Sequence, residues 1–176
     1  GEGDANTSEV VIIGEGYSMP YSETFETAAS LDLWRIIDVN GDNKKWAWSY
    51  SKYVQYAWNT TQSADDWLIS PPLRLYEGYT YEIKYKAWSS TATNKESLKV
   101  TLGLSQNPDD HTIILEDYPE LTNNQEPRAN IFVAPSDGKY HLGFYAYSQK
   151  NKVYLRVDNI EVTVLSAAGV PGPVSD

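Results

Sequence analysis

The chain has 176 residues and a formal net charge of −10, with 14 tyrosines, 6 tryptophans and no cysteine. An acidic chain without clustered Lys and Arg is a poor match for nucleic acid or an anionic membrane, so neither is an expected partner. The lack of cysteine excludes disulfides, zinc ribbons and thiol catalysis, and no apolar run approaches the ~20 residues of a membrane span.

Residues 1–20 read as an N-terminal extension: a small, polar start, a candidate edge strand at 9–13, and a break at Gly14-Glu15-Gly16. The opening on Gly1 reads as a tag scar or a domain cut. From Tyr21 to Thr27 the side chains alternate, with Phe25 inward and Glu26 on the other side. Residues 31–37 suit a helical turn followed by a strand. The aromatic stretch from Trp46 to Trp58 suits two strands with a turn near Ser51-Lys52. Asp66-Trp67-Leu68-Ile69 is a strand that runs into Pro71-Pro72, which places it at an edge or terminates it.

The clearest period-two patterns follow. Tyr79, Tyr81, Ile83, Tyr85 and Ala87 oppose Thr80, Glu82, Lys84, Lys86 and Trp88. Leu98, Val100, Leu102 and Leu104 oppose Lys99, Thr101, Gly103 and Ser105. Residues 112–115 and 130–133 read as shorter strands, with 119–128 as a loop. Tyr140, Leu142, Phe144 and Ala146 oppose His141, Gly143, Tyr145 and Tyr147. In the last strand Val153, Leu155 and Val157 set one phase and Ile160, Val162 and Val164 the other. The flip falls at Asp158-Asn159 and implies either a β-bulge or a break between two short strands. Residues 166–176 are small and proline-rich, a linker toward a following domain. About ten to twelve short strands with turns between them define an all-β, two-sheet sandwich. Without a Cys…Trp…Cys signature the jelly roll is preferred over the immunoglobulin type.

Candidate chemistry concentrates in Asp38-Val39-Asn40-Gly41-Asp42. The three polar side chains alternate round a glycine, so a curling chain can aim several oxygens at a hard cation such as Ca²⁺. The glycine comes before Asp42 and not after it, unlike an EF-hand, no glutamate closes the loop, and a plain polar turn has the same composition. Asp158, at the phase flip, is a second acidic oxygen beside irregular backbone. Catalysis is poorly supported: His111 and His141 are the only histidines, and no G-x-S-x-G elbow, phosphate loop or zinc spacing occurs. Trp88, Tyr145, Tyr147 and Tyr154, with Arg156 among them, carry outward parity. If their strands share a sheet, they form an aromatic face suited to sugars or proteins, unless another layer covers it. Trp34, Trp46 and Trp67 are expected in the core or anchoring loops.

Four short motifs in order, Ser22-Glu23-Thr24-Phe25-Glu26, Trp34-x-x-x-Asp38-x-Asn40-Gly41-Asp42 with Trp46, Asp66-Trp67-Leu68-Ile69-Ser70-Pro71 and Val157-Asp158-Asn159-Ile160, resemble the cleaved-adhesin (choice-of-anchor J) domains of the gingipain haemagglutinin-adhesin region, which are related in fold to MAM domains. The resemblance runs from Tyr21 to Leu165, and the tail from Val170 resembles the opening of a fibronectin type III domain. It implies a jelly roll over residues 21–165, a structural Ca²⁺, and an extracellular or cell-surface location. It also implies binding of a host protein or glycan without catalysis. The metal role carries over onto Glu26, Asp38, Asn40, Asp42 and Asp158. The expected function is a non-catalytic adhesin-like module of a larger bacterial surface or secreted protein, in contact with neighbouring domains of its own chain. The alternatives are a carbohydrate-binding module appended to a glycan-degrading enzyme and a purely structural spacer.

Overall fold

A computed structural model describes residues 16–169. The expected strand at 9–13 and the tail from Val170 lie outside the described residues. Twelve strands form two antiparallel sheets of six. They are β1 (Tyr21–Glu23), β2 (Arg35–Asp38), β3 (Trp46–Ser49), β4 (Tyr53–Tyr56), β5 (Asp66–Ile69), β6 (Leu73–Leu75), β7 (Thr80–Ser89), β8 (Glu96–Gly103), β9 (Ile113–Leu121), β10 (Arg128–Val133), β11 (Gly138–Ala146) and β12 (Leu155–Ser166). The first sheet runs β10-β7-β12-β4-β3 with β1 also on β12; the second runs β2-β5-β11-β8-β9 with β6 also on β11. Consecutive strands thus cross repeatedly between sheets, as the jelly-roll reading requires.

Each sheet is organised on one long strand whose second edge is shared by two short partners. In the first, β12 meets β4 at Leu155–Val157 and β1 at Ile160–Val162. The change of partner coincides with a register shift between Asp158 and Glu161 and with a left-handed Asn159, φ 53°. The phase flip in the sequence is therefore a bulge within a continuous strand. In the second sheet, β11 meets β5 at Gly143–Ala146 and β6 at Gly138–Tyr140. Pro71-Pro72 makes this interruption, since proline has no N–H for the ladder. Ser70 fills the gap: its hydroxyl accepts from Leu142 N at 2.8 Å, and its carbonyl accepts from the His141 ring Nδ1 at 2.7 Å.

The inner faces meet in one core. Tyr81, Ile83, Tyr85, Ala87, Leu155, Val157, Ile160 and Val162 come from the first sheet, and Leu68, Leu98, Val100, Leu102, Tyr140, Leu142, Phe144 and Ala146 from the second. Tyr85 and Phe144 pack edge to face across it, centroids 5.7 Å apart. Burying each large apolar side chain contributes about 1.5–3 kcal/mol, which makes this layer the main source of stability. Trp34 and Trp46 are buried as expected.

Three local readings change. Residue Leu104 is exposed because β8 ends at Gly103. Strand β9 continues through Pro119 to Leu121, using irregular register against β8, where the sequence suggested a loop from 119. Trp67 is not a core residue: Leu68 takes the inner face of β5, so Trp67 points to the outer one.

Candidate functional site

The acidic loop hangs between two paired strands. Asp38, the last residue of β2, lies opposite Asp66, the first of β5. Left-handed Gly41 and Asn43 fold the intervening chain back on itself. The Asp38 carboxylate accepts from the backbone N–H of Asp42 at 3.3 Å and of Asn43 at 2.7 Å. The Asp42 carboxylate accepts from Lys44 N and from the Asn59 amide, at 2.9 and 2.8 Å. Asn40 donates through Nδ2 to the carbonyl of Ser63.

This arrangement converges on oxygens. One carboxylate oxygen each from Asp38, Asp42 and Asp66 lie within 4.8 Å of one another. Asp66 is fully buried with Oδ2 unpartnered, and Asn40 Oδ1 and the Tyr56 hydroxyl are likewise buried without partners. Burial raises the pKa of Asp66 to about 7; the Asp65 N–H opposes the rise, and the charges of Asp38, Asp42 and Asp65 add to it. Orphaned oxygens among mutually repelling carboxylates fit a hard divalent cation, which takes six to eight oxygen ligands. The donor set contains no sulfur or imidazole, and this also favours Ca²⁺ or Mg²⁺ over transition metals. Asp66 did not figure among the residues assigned to metal from sequence. Its inner-face parity, shared with Leu68, was the available signal.

Glu26 and Asp158 belong to a different group. Asp158 sits at the bulge of β12 with Oδ1 buried and unpartnered. Its pKa is pushed up to about 6, by burial first; the charges of Glu26 and Glu23 also raise it, while the Asn159 N–H and Lys86 oppose. Glu23, at the end of β1, accepts from Phe25 N at 2.8 Å, and its pKa is also raised, mainly by burial. Phe25 is fully buried with a left-handed backbone, φ 51°, and its carbonyl accepts from the Trp48 indole at 2.8 Å. Glu26 is exposed and pairs with Lys52 at 3.5 Å. Of the five expected ligands, Asp38, Asn40 and Asp42 therefore gather with Asp66, while Glu26 and Asp158 lie apart from them, near enough to each other and to Glu23 for the charges to act on Asp158.

The aromatic candidates also divide, because their strands do not share a sheet. Trp88, Tyr154 and Arg156 lie on the outer face of the first sheet, and Tyr145 and Tyr147 on that of the second, at the opposite side of the sandwich. Trp88 is only 4% exposed, with Tyr53 packed edge-on against it. On the second sheet Trp67, Tyr145 and Tyr147 form a half-buried row, with centroid spacings of 4.7 and 6.0 Å. The Tyr145 hydroxyl donates to Asp65 at 2.8 Å, that of Tyr147 donates to Asp117, and the Lys99 ammonium lies over the Tyr147 ring. The two acceptors fix the ring orientations.

The other half of that outer face is closed by the loop after β8. Its His111 ring packs on Gly103 and Gly143 and reaches Trp67 at 5.4 Å. His111 Nε2 faces the Ser105 carbonyl at 2.9 Å, so it must carry the proton, and Nδ1 then accepts from the Thr101 hydroxyl at 2.8 Å. With both nitrogens engaged, this histidine has no free position for base catalysis.

No protein-family model and no curated relative matches the chain. Solved structures do. The K3 cleaved adhesin domain of Lys-gingipain from Porphyromonas gingivalis W83 superposes with a TM-score of 0.64 at 14% identity, over 81% of this chain and 96% of that one. The K2 cleaved adhesin domain gives 0.62 at 21% identity, over 82% and 99%. A CBM4 module gives 0.56 at 15% identity, over 82% and 94%. The chain thus has the β-sandwich fold of cleaved adhesin domains and carbohydrate-binding modules. No helix among the described residues is long and apolar enough to cross a membrane.

Proposed function

We propose that this chain is a non-catalytic glycan-binding module of an extracellular bacterial protein, with its sandwich stapled by calcium. The observation that carries the reading is the Trp67–Tyr145–Tyr147 row. Rings with amphipathic edges, oriented by Asp65 and Asp117, suit stacking and hydrogen bonding to sugars. The likeness to cleaved adhesin domains and to a carbohydrate-binding module agrees with a binding role. The adhesin-like fold also supports the extracellular assignment, in which the acidic surface keeps the module soluble. Binding to a host protein through the same row is the second reading, favoured by the same half-buried aromatic rings. The test is a glycan array with Ca²⁺ present, followed by calorimetry on Trp67→Ala and Tyr147→Ala. We expect each variant to lose most of the affinity; a wild-type protein that binds no glycan removes the reading.

Calcium would be held by Asp38, Asn40, Asp42 and Asp66, and a second ion by Glu23, Glu26 and Asp158. Its contribution is charge neutralisation and a clamp. The first ion would tie β2, the following loop and β5, and the second would tie β1 to the bulge of β12. Binding to the native state alone stabilises by about 2.7 kcal/mol at a hundredfold excess over Kd. Thermal melts with Ca²⁺ and with EDTA are the measurement. Coincident curves would remove the calcium claim and leave the glycan reading intact.

A further inference from the structure

Arg156 is the one outer-face cation of β12 set among aromatic rings. It is half-buried and lies opposite Gln55 of β4 on one side and Trp88 of β7 on the other. Its guanidinium carbon lies over two rings, Tyr53 at 4.8 Å and Tyr154 at 5.2 Å. Tyr154 lies two residues before it, immediately ahead of β12, and Tyr53 lies two residues from Gln55 in the other direction, so the rings flank it from opposite ends. Trp58 braces Tyr154 edge-on at 5.3 Å, and Trp88 braces Tyr53 at 5.5 Å. Arg156 Nε donates to the Gln55 side-chain oxygen at 3.1 Å.

The charge is held but not neutralised. The ion pairs among the described residues are Lys52–Glu26, Lys84–Glu82 and Lys95–Glu120, and none involves Arg156. The favourable charge acting on nearby Asp158 is that of Lys86. What sets Arg156 apart is the second ring: Arg74, Lys99 and Arg128 also lie over a tyrosine outside these ion pairs, but each over one ring only. With the guanidinium carbon over two rings and Nε engaged by Gln55, the planar fork of Nη donors is left as the approach for a ligand. That fork matches a carboxylate, two parallel N–H···O bonds at once. Tyr154 and Trp58 beside it offer apolar ring surface of the kind a sugar packs against.

We propose that Arg156, clamped between Tyr53 and Tyr154, forms a subsite for the carboxylate of an acidic sugar. It is separate from the Trp67 row and on the opposite face of the sandwich. The subsite goes beyond the binding role proposed above and does not depend on which neutral sugar the Trp67 row takes. A module with two such faces can bridge two chains of an acidic polysaccharide or hold one chain that wraps its edge.

The experiment is calorimetry with a glucuronate-bearing tetrasaccharide and with the same tetrasaccharide reduced to its neutral form. Wild-type, Arg156→Gln, Arg156→Lys and Trp67→Ala proteins are compared, and unchanged circular dichroism establishes that each variant is folded. The acidic sugar should bind wild type about tenfold tighter than its neutral form, the difference expected of one charge-assisted bidentate contact. Arg156→Gln and Arg156→Lys should both abolish that preference, since lysine keeps the charge but not the fork. Trp67→Ala should retain it. Shifts of the Arg156 Nε–H and Gln55 amide resonances in wild type locate the contact without any variant. No preference for the acidic sugar, a preference that survives Arg156→Gln, or one lost only in Trp67→Ala would each overturn the proposal. The last would leave the Trp67 site standing as the acidic-sugar site. A polyglutamate peptide that binds through Arg156 when the tetrasaccharide does not would overturn it in favour of an acidic protein partner.

Discussion

The indole of Trp46 donates through Nε1 to the main-chain carbonyl of Asp66 at 3.2 Å, joining β3 of one sheet to β5 of the other. Trp46 is buried against Tyr56, and this fixes the donor. The bond ties the tryptophan that follows the acidic loop to the strand that completes it. It holds the Asp66 backbone while the side chain faces Asp38 and Asp42.

Replacing Asp66 by Asn removes one of three converging charges and keeps the shape. In EDTA this should stabilise the protein, because burial and the charges of Asp38 and Asp42 both oppose an ionised Asp66. A gain of 1 kcal/mol would raise Tm by about 2–4 °C for a chain of this size. In Ca²⁺ the order should reverse, with wild type melting higher. The crossover distinguishes a cation site from an ordinary strained turn. If Asp66→Asn melts above wild type in both buffers, the carboxylate serves no metal.

Gly103 and Gly143 form the floor beneath His111. A Cβ at Gly143 would come within 2.5 Å of Thr101 Oγ1 and 2.7 Å of His111 Nδ1, and one at Gly103 within 2.6 Å of His111 Cδ2. Gly143→Ala should cost about 1–3 kcal/mol through overpacking. It should also loosen the 104–112 loop, which chemical denaturation and limited proteolysis would register. A variant as stable and as protease-resistant as wild type would show that the loop does not depend on this contact.

His111 should resist protonation. Burial lowers its pKa below the usual histidine range, and the charge of His141 lowers it further. The Ser105 hydrogen bond and Asp110 oppose that fall without reversing it. A depressed native pKa means that the unfolded chain takes up the proton first. The stabilising contribution of the neutral ring is therefore complete above the ordinary range near 6.5, and is lost as pH falls below it. The ring resonances of His111 should titrate with a midpoint below 6.5, and a midpoint above it would contradict the packed, neutral ring.

The alternation of Tyr81, Ile83, Tyr85 and Ala87 was readable because burying one face of a strand leaves a period of two in the sequence. The flip at Asp158-Asn159 was readable for the same reason, since an extra residue must invert the parity. Period cannot reveal which strands become neighbours. Trp88 and Tyr145 both carry outward parity, yet long-range pairing puts β7 and β11 in different sheets. The partnership of Asp66 with Asp38 likewise depends on β2 pairing with β5, two strands separated in sequence by a hairpin of the other sheet. Size alone does not place Trp67: its parity, opposite to that of Leu68, sends it to the outer face, where it packs against His111 of the loop after β8.

The bulge itself can be tested at Asn159, whose φ of 53° is tolerable for asparagine and nearly free for glycine. Asn159→Gly should be close to neutral. Asn159→Val places a branched side chain in left-handed backbone and should cost about 1–3 kcal/mol. Its larger consequence should be local. Straightening the bulge would rotate Asp158 away from Glu23 and Glu26, so calcium-dependent stabilisation should shrink along with intrinsic stability. Isothermal denaturation of the two variants, with and without Ca²⁺, separates the effects. If Asn159→Val lowers stability equally in both buffers, the bulge is a feature of folding alone and has no part in holding an ion.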